Sequence, residues 1–163
     1  MRLSFLIKHY FFSAFRELFV HHHGSLEFRA KLFALVIAAN EEAKVENYIL
    51  VKKIGVDIYK NDEDRANLLM LSTKEFVNKI RENNEFTMDT LVLSIQRELR
   101  QAPRYAKKID TESLKEFIAL SHDRDTISYQ ENIVEFLEKL KEEILHEKKS
   151  QIQKDEAAII PRY

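Results

Sequence analysis

The segment that decides the fold runs from Ser25 to Lys60 and reads SLEFRAKLFALVIAANEEAKVENYILVKKIGVDIYK. Its first fifteen residues carry apolar side chains on nearly every side, which predicts a helix at the centre of the core. An acidic turn, Asn40-Glu41-Glu42, follows, and a second amphipathic helix begins at Val45. Gly55 weakens that helix by about 1 kcal/mol relative to alanine. We therefore expect a break or a close contact with another helix at Gly55.

A related arrangement returns near the C-terminus. The apolar run that ends at His122 leads into a second acidic turn, Asp123-Arg124-Asp125. Ser128-Tyr129-Gln130-Glu131 then forms a capping-box sequence, which predicts that the last helix begins there. The chain is thus predicted to be organised by two helical hairpins.

Composition sets the fold class. The chain has 163 residues, of which 45% are hydrophobic, and it contains only 2 Gly and 2 Pro. This predicts an all-α fold, a single helical domain of about seven or eight helices with an internal repeat. Without cysteine the chain has no disulfide, thiol nucleophile or thiolate metal site. A net charge of -1 does not favour nucleic-acid binding.

Three regions are predicted along the chain. Residues 1–24 form an aromatic amphipathic helix, residues 25–145 the helical domain, and residues 146–163 a charged helix extension and linker. The first region either packs on the domain or contacts a protein partner, a second copy of the chain or a membrane surface. Its candidate interaction residues are Phe5, Phe11, Phe12, Phe15 and Phe19. Its longest uncharged stretch is far below the ~20 residues that cross a bilayer.

One clearly basic patch stands out in the sequence. Its members are Arg97, Arg100, Arg104, Lys107 and Lys108. It is either a solvated connector or a contact for anionic lipid or an acidic partner.

No catalytic constellation is recognisable. Catalysis needs a nucleophile, a base or a metal together with an orienting partner, and His9, His122 and His146 are isolated in the sequence. The consecutive histidines from His21 to His23 point in different directions at a helix end, which makes them poor joint ligands. We expect neither an enzyme nor a cofactor.

The two acidic turns resemble those of the tellurite-resistance TerB family over roughly residues 25 to 145. In that family the turn commonly reads Ala-Asp-Gly, then an aliphatic residue, Ser or Thr, and Glu. The first turn here reads Ala-Asn-Glu-Glu-Ala-Lys-Val-Glu, and the second contains Asp123 and, after one extra residue, Ile127. Neither turn keeps the Asp-Gly pair, which would make this chain a divergent relative.

The resemblance implies a function. TerB-like domains form the N-terminal regulatory part of DjlA-type co-chaperones, which implies a non-catalytic interaction domain for self-association or client contact, in the cytoplasm and possibly at the inner face of the membrane. No His-Pro-Asp tripeptide of a J-domain occurs in the chain, so contact with a DnaK-type chaperone would be indirect and the chain would be a fragment or a J-less relative.

The resemblance also implies an alternative, a divalent-metal-binding stress-response domain. Calcium prefers six to eight oxygen ligands, commonly in a loop that closes at a glycine, and both turns lack that glycine. The candidate ligands are Asn40, Glu41, Glu42, Glu46, Asp123, Asp125 and Glu131.

Overall fold

A computed structural model of the chain describes residues 24–82 and 84–159. These residues form six α-helices and one 3-10 helix, with no strand, which confirms the predicted all-α single domain. The helices are α1 (Gly24–Ala38), α2 (Val45–Ile58), α3 (Glu63–Glu82), α4 (Met88–Gln101), the 3-10 helix (Pro103–Lys108), α5 (Thr111–Ile118) and α6 (Arg124–Ile159). The N-terminal phenylalanines lie outside the described residues, so their role stays a prediction.

Helix α1 is the centre of the core, as its sequence predicts. It packs on α3, α4, α5, α6 and the 3-10 helix. Its buried residues are Leu26, Phe28, Ala30, Leu32, Phe33, Ala34, Leu35, Val36 and Ile37. Full burial of one large apolar side chain contributes about 1.5–3 kcal/mol, so this helix supplies much of the stability of the fold.

Helix α2 does not form the predicted hairpin with α1. It packs chiefly on α3, at the place where Gly55 faces Ala66. A Cβ atom added at Gly55 would lie 3.1 Å from the Cα atom of Ala66. Gly55 therefore marks the close helix contact, and the helix continues through it without a break.

Thr87 and Asp110 have side chains typical of helix caps, so the sequence predicts helices that begin after them, and two of the middle helices do so. Thr87 Oγ1 accepts a hydrogen bond from the N–H of Thr90 at the start of α4. Asp110 accepts from both the N–H and the hydroxyl of Ser113 at the start of α5. Such caps satisfy N–H groups that the first helical turn leaves without a partner.

The predicted start of the last helix is wrong. Helix α6 begins at Arg124, because Asp123 caps it by accepting from the N–H of Thr126 across 3.0 Å. The residues of the expected capping box lie inside the helix, and Gln130 is fully buried. The helix is 36 residues long, and it is exposed from Gln151 onward.

Among the described residues, no helix is long and apolar enough to cross a membrane.

Candidate functional site

A groove of about 790 Å³ runs between α5 and α6. Helix α5 is only 8 residues long, and α6 packs against it. The residues that line it are Thr111, Glu112, Lys115, Ile118, Ala119, Glu131, Val134, Glu135 and Glu138. We call this surface the acidic groove.

The acidic groove has charged edges and an apolar floor. On α6, Glu131, Glu135 and Glu138 lie at positions i, i+4 and i+7, which places them on one face of the helix over about 10 Å. The apolar side chains of Ile118 and Val134 belong to the floor, and Val134 is almost completely buried.

The charges around the groove are unequal. Four glutamates and one lysine line it, which leaves an excess of three negative charges. Glu112 pairs with Lys115 at 3.2 Å, and Glu135 pairs with Lys139 at 3.1 Å. Within the described part of the chain, the side chains of Glu131 and Glu138 make neither an ion pair nor a hydrogen bond. Their carboxylates are therefore available to a cationic partner.

The two acidic turns lie next to each other, although they are distant in sequence. Asn40 of the first turn donates its side-chain N–H to Ser121 Oγ at 3.4 Å, immediately before the second turn. A cleft of about 140 Å³ separates the turns. Four of the seven candidate metal ligands line it, namely Asn40, Glu42, Glu46 and Asp123, together with Lys44 and His122. The other three candidates do not line this cleft, and Glu131 belongs to the acidic groove.

The polar groups of the turns already have structural partners. Asn40 Oδ1 accepts from the N–H of Glu42 at 3.0 Å, and Asp123 caps α6. In residues 24–82 and 84–159, no three histidine, aspartate or glutamate side chains are close enough to hold a metal ion. Calcium binding stays a prediction, and the geometry of the cleft adds no ligand set to support it.

A buried polar network lies behind the turns, and the sequence analysis does not predict it. Ser121 donates its hydroxyl to Gln130 Oε1 at 2.8 Å, and Gln130 Nε2 donates to the carbonyl oxygen of Val36 at 3.0 Å. The signal was the position of Gln130, three and four residues before the buried Ile133 and Val134, on the same face of α6. The network joins the end of α1 to α6.

The tertiary structure divides the predicted basic patch. Arg97 and Arg100 are exposed on α4, and the guanidinium of Arg104 lies 5.0 Å from the centre of the Tyr105 ring. Lys107 and Lys108 end the 3-10 helix and line a separate cavity, which the other three do not reach.

One titratable side chain near the turns has a clearly shifted pKa. Burial raises the pKa of the Tyr48 phenol on α2, and the nearby Arg81 guanidinium partly offsets that rise. Arg81 also donates to the carbonyl oxygen of Asn40 at 2.9 Å. The cation thus stabilises the first turn through a backbone oxygen.

Comparison with models of protein families, with curated proteins and with solved structures finds no match for this chain. The likeness to the TerB family therefore stays a prediction from the residues of the turns.

Proposed function

We propose that the chain is a non-catalytic protein-interaction domain that binds a basic amphipathic helix of a protein partner in the acidic groove. The observation that carries this proposal is the combination of four glutamates, a single lysine and an apolar floor in one groove between α5 and α6.

The shape and size of the groove suit such a partner. An amphipathic helix binds by placing its apolar face in a groove, anchored by side chains three and four residues apart. The apolar floor would receive those anchors, and lysine or arginine residues at the edges of the partner would reach Glu131 and Glu138. The glutamates from Glu131 to Glu138 extend over about 10 Å, which is the length of about two turns of a bound helix.

Charge complementarity would give the interaction selectivity. An excess of negative charge attracts cationic segments and repels acidic ones, and it raises the rate of encounter at low salt. The interaction should weaken as ionic strength rises, since the edges of the groove are exposed to solvent.

The finer proposal places this domain in a DnaJ-like or DjlA-like co-chaperone, where the partner in the groove is a client or regulatory segment. It is supported by the resemblance of the two turns to the TerB family. Self-association through the N-terminal phenylalanines and attachment to the inner face of the membrane remain separate proposals from the sequence.

Peptide binding tests the groove directly. The probe is a fluorescent helical peptide with leucines on one face and lysines on the other, compared with a scrambled peptide of the same composition. Measured by fluorescence polarisation, the amphipathic peptide should bind more tightly than the scrambled one. The double variant Glu131→Lys/Glu138→Lys should weaken that binding at least about tenfold.

The matched control is Glu143→Lys/Glu147→Lys, which makes the same charge change on an exposed part of α6 away from the groove. It should leave the affinity within about twofold of the unchanged chain. Equal binding of the two peptides, or an equal loss in the control variant, would refute the proposal.

A further inference from the structure

A second cavity, of about 250 Å³, shares no lining residue with the acidic groove and has the opposite charge. We call it the basic cavity. Its lining comes from α1, the end of α2, the 3-10 helix with the residues that follow it, α5 and α6. The lining residues that carry charge are Arg29, Lys107, Lys108, Lys141 and Asp110.

The four cations converge from three separate elements. Arg29 belongs to α1, Lys107 and Lys108 end the 3-10 helix, and Lys141 belongs to α6. Arg29, Lys108 and Lys141 are partly buried, whereas Lys107 is exposed. Convergence of like charges is unfavourable unless an anion offsets it.

The chain itself does not neutralise these cations. Among the described residues, none of the four forms an ion pair with a carboxylate. The one carboxylate in the cavity, Asp110, is committed to capping α5 through both the N–H and the hydroxyl of Ser113. The polar contact of Arg29 is with the hydroxyl of Tyr59, at 3.5 Å. The lining therefore carries an excess of three positive charges.

We propose that the basic cavity is a binding site for a phosphate monoester group. A compact dianion would offset the excess positive charge, and an arginine fork beside lysine ammonium groups is the usual protein donor set for phosphate. The volume of about 250 Å³ suits a small ligand. Apolar side chains, among them Leu32, Phe33 and Ile109, line the same cavity, so the group carrying the phosphate can be partly apolar.

The group can belong to a free metabolite or to a lipid headgroup, and two arms of one experiment distinguish these sources. In the first arm, inorganic phosphate is titrated into the full chain by calorimetry, with chloride at equal ionic strength as the reference. In the second arm, phosphatidylcholine vesicles with and without phosphatidic acid are tested by flotation. Saturable binding of phosphate in solution together with no flotation assigns a soluble ligand. Flotation that requires phosphatidic acid assigns the headgroup.

The variant Lys108→Gln/Lys141→Gln removes two of the converging charges and leaves Arg29 and its contact with Tyr59 in place. It should weaken binding of inorganic phosphate at least about tenfold. Each substitution removes one charge-assisted hydrogen bond to the phosphate, and such bonds are about twice as strong as hydrogen bonds between neutral groups. The matched control is Lys149→Gln/Lys154→Gln, which removes the same charge from an exposed part of α6. Both variants should keep the circular dichroism spectrum of the unchanged chain.

A second readout keeps the test independent of stability. In amide-detected NMR, added phosphate should shift resonances of residues 107–110 and of Arg29 in the unchanged chain. Resonances of Glu131 and Glu135, which line only the acidic groove, should stay in place. Phosphate effects no greater than those of chloride, with no flotation, would overturn the proposal, as would an equal loss of binding in the control variant.

Discussion

The side-chain amide of Gln130 lies 3.0 Å from the carbonyl oxygen of Val36 and donates a hydrogen bond to it inside the core. That carbonyl is in the last turn of α1, where four carbonyl groups have no partner within the helix. The N–H of Asn40 bonds instead to Ile37, which leaves the Val36 oxygen for Gln130. A single side chain on α6 thus completes the end of the central helix.

Replacing Gln130 should therefore destabilise the fold. Gln130→Leu keeps most of the side-chain volume. It removes the donor to the Val36 oxygen and the acceptor of the Ser121 hydroxyl. We expect the free energy of unfolding to fall by about 2–4 kcal/mol, since each buried polar group left unpaired costs about 1–3 kcal/mol. Urea denaturation followed by circular dichroism measures this. Gln153→Leu, on the exposed end of α6, is the control and should change stability by less than about 0.5 kcal/mol.

The ion pair between Lys31 and Glu98 should contribute more than the surface pairs. Lys31 Nζ lies 3.0 Å from Glu98 Oε2 and 2.9 Å from Ser94 Oγ, and the two charged side chains are only 11% and 23% exposed. Glu98→Ala leaves a partly buried ammonium without its carboxylate, so we expect a loss of about 1–3 kcal/mol in the free energy of unfolding.

The comparison for this pair is Lys139→Ala, which breaks the exposed pair with Glu135. Exposed pairs typically contribute no more than about 1 kcal/mol because solvent screens them. Equal unfolding midpoints of the two variants in urea would contradict the expected difference.

Stability at alkaline pH should depend on Tyr48. Burial raises the pKa of its phenol above the ordinary value of 10.0, so the unfolded chain ionises this group before the folded chain does. The contribution of Tyr48 to stability is then fully present below pH 10.0 and is lost as the pH rises through the folded-state pKa. The difference in free energy of unfolding between the unchanged chain and Tyr48→Phe should shrink above about pH 10.

Urea denaturation at several pH values measures that difference. Tyr129→Phe is the control, because Tyr129 is 46% exposed, and its difference from the unchanged chain should vary less with pH. A difference for Tyr48→Phe that stays constant into the alkaline range would show that burial of the phenol has no such effect.

Asp123 should act as a helix cap whether or not calcium is present. Its carboxylate accepts from the N–H and the hydroxyl of Thr126 at 3.0 and 3.1 Å. Asp123→Ala should lower the free energy of unfolding by about 1 kcal/mol, whereas Asp123→Asn, which keeps a capping oxygen, should lower it less.

Thermal unfolding of these variants with and without calcium also tests the metal-binding alternative. We expect calcium to leave the unfolding midpoint of the unchanged chain the same, because only four of the seven candidate ligands share a cleft and two of them, Asn40 and Asp123, already bond within the turns. A calcium-dependent rise in the midpoint that disappears in Asp123→Ala and Asp123→Asn would establish a metal site at the turns.

The positions of the core helices could be predicted because the signals for them are local. The continuous apolar character of α1 required a buried central helix, and Thr87 and Asp110 marked helix starts through hydrogen bonds that span only three residues. Residues near in sequence decide both features, so no knowledge of the fold was needed.

The start of α6 could not be predicted from local signals alone, because two residues compete to cap this helix. Asp123 and Ser128 are both good capping residues, and the sequence pattern favoured the capping box at Ser128. The helix that begins after Asp123 places Gln130 in regular helical geometry on the core face, where it reaches Val36 and Ser121. The cap at Asp123 therefore goes together with a contact between Gln130 and Val36, which are 94 positions apart, and a local sequence pattern does not reveal such a contact.

The two candidate sites, like the start of α6, depend on contacts between residues that are distant in the sequence. By itself, the sequence determined an all-α fold, its central helix and most of its caps, because apolar periodicity and capping act within one or two helical turns. Only the tertiary structure placed Glu131 at the edge of the acidic groove instead of among metal ligands, and brought Arg29 and Lys141 to the two lysines of the basic cavity. These charges come from helices far apart in the chain, and it is the packing of those helices around α1 that sets their neighbours.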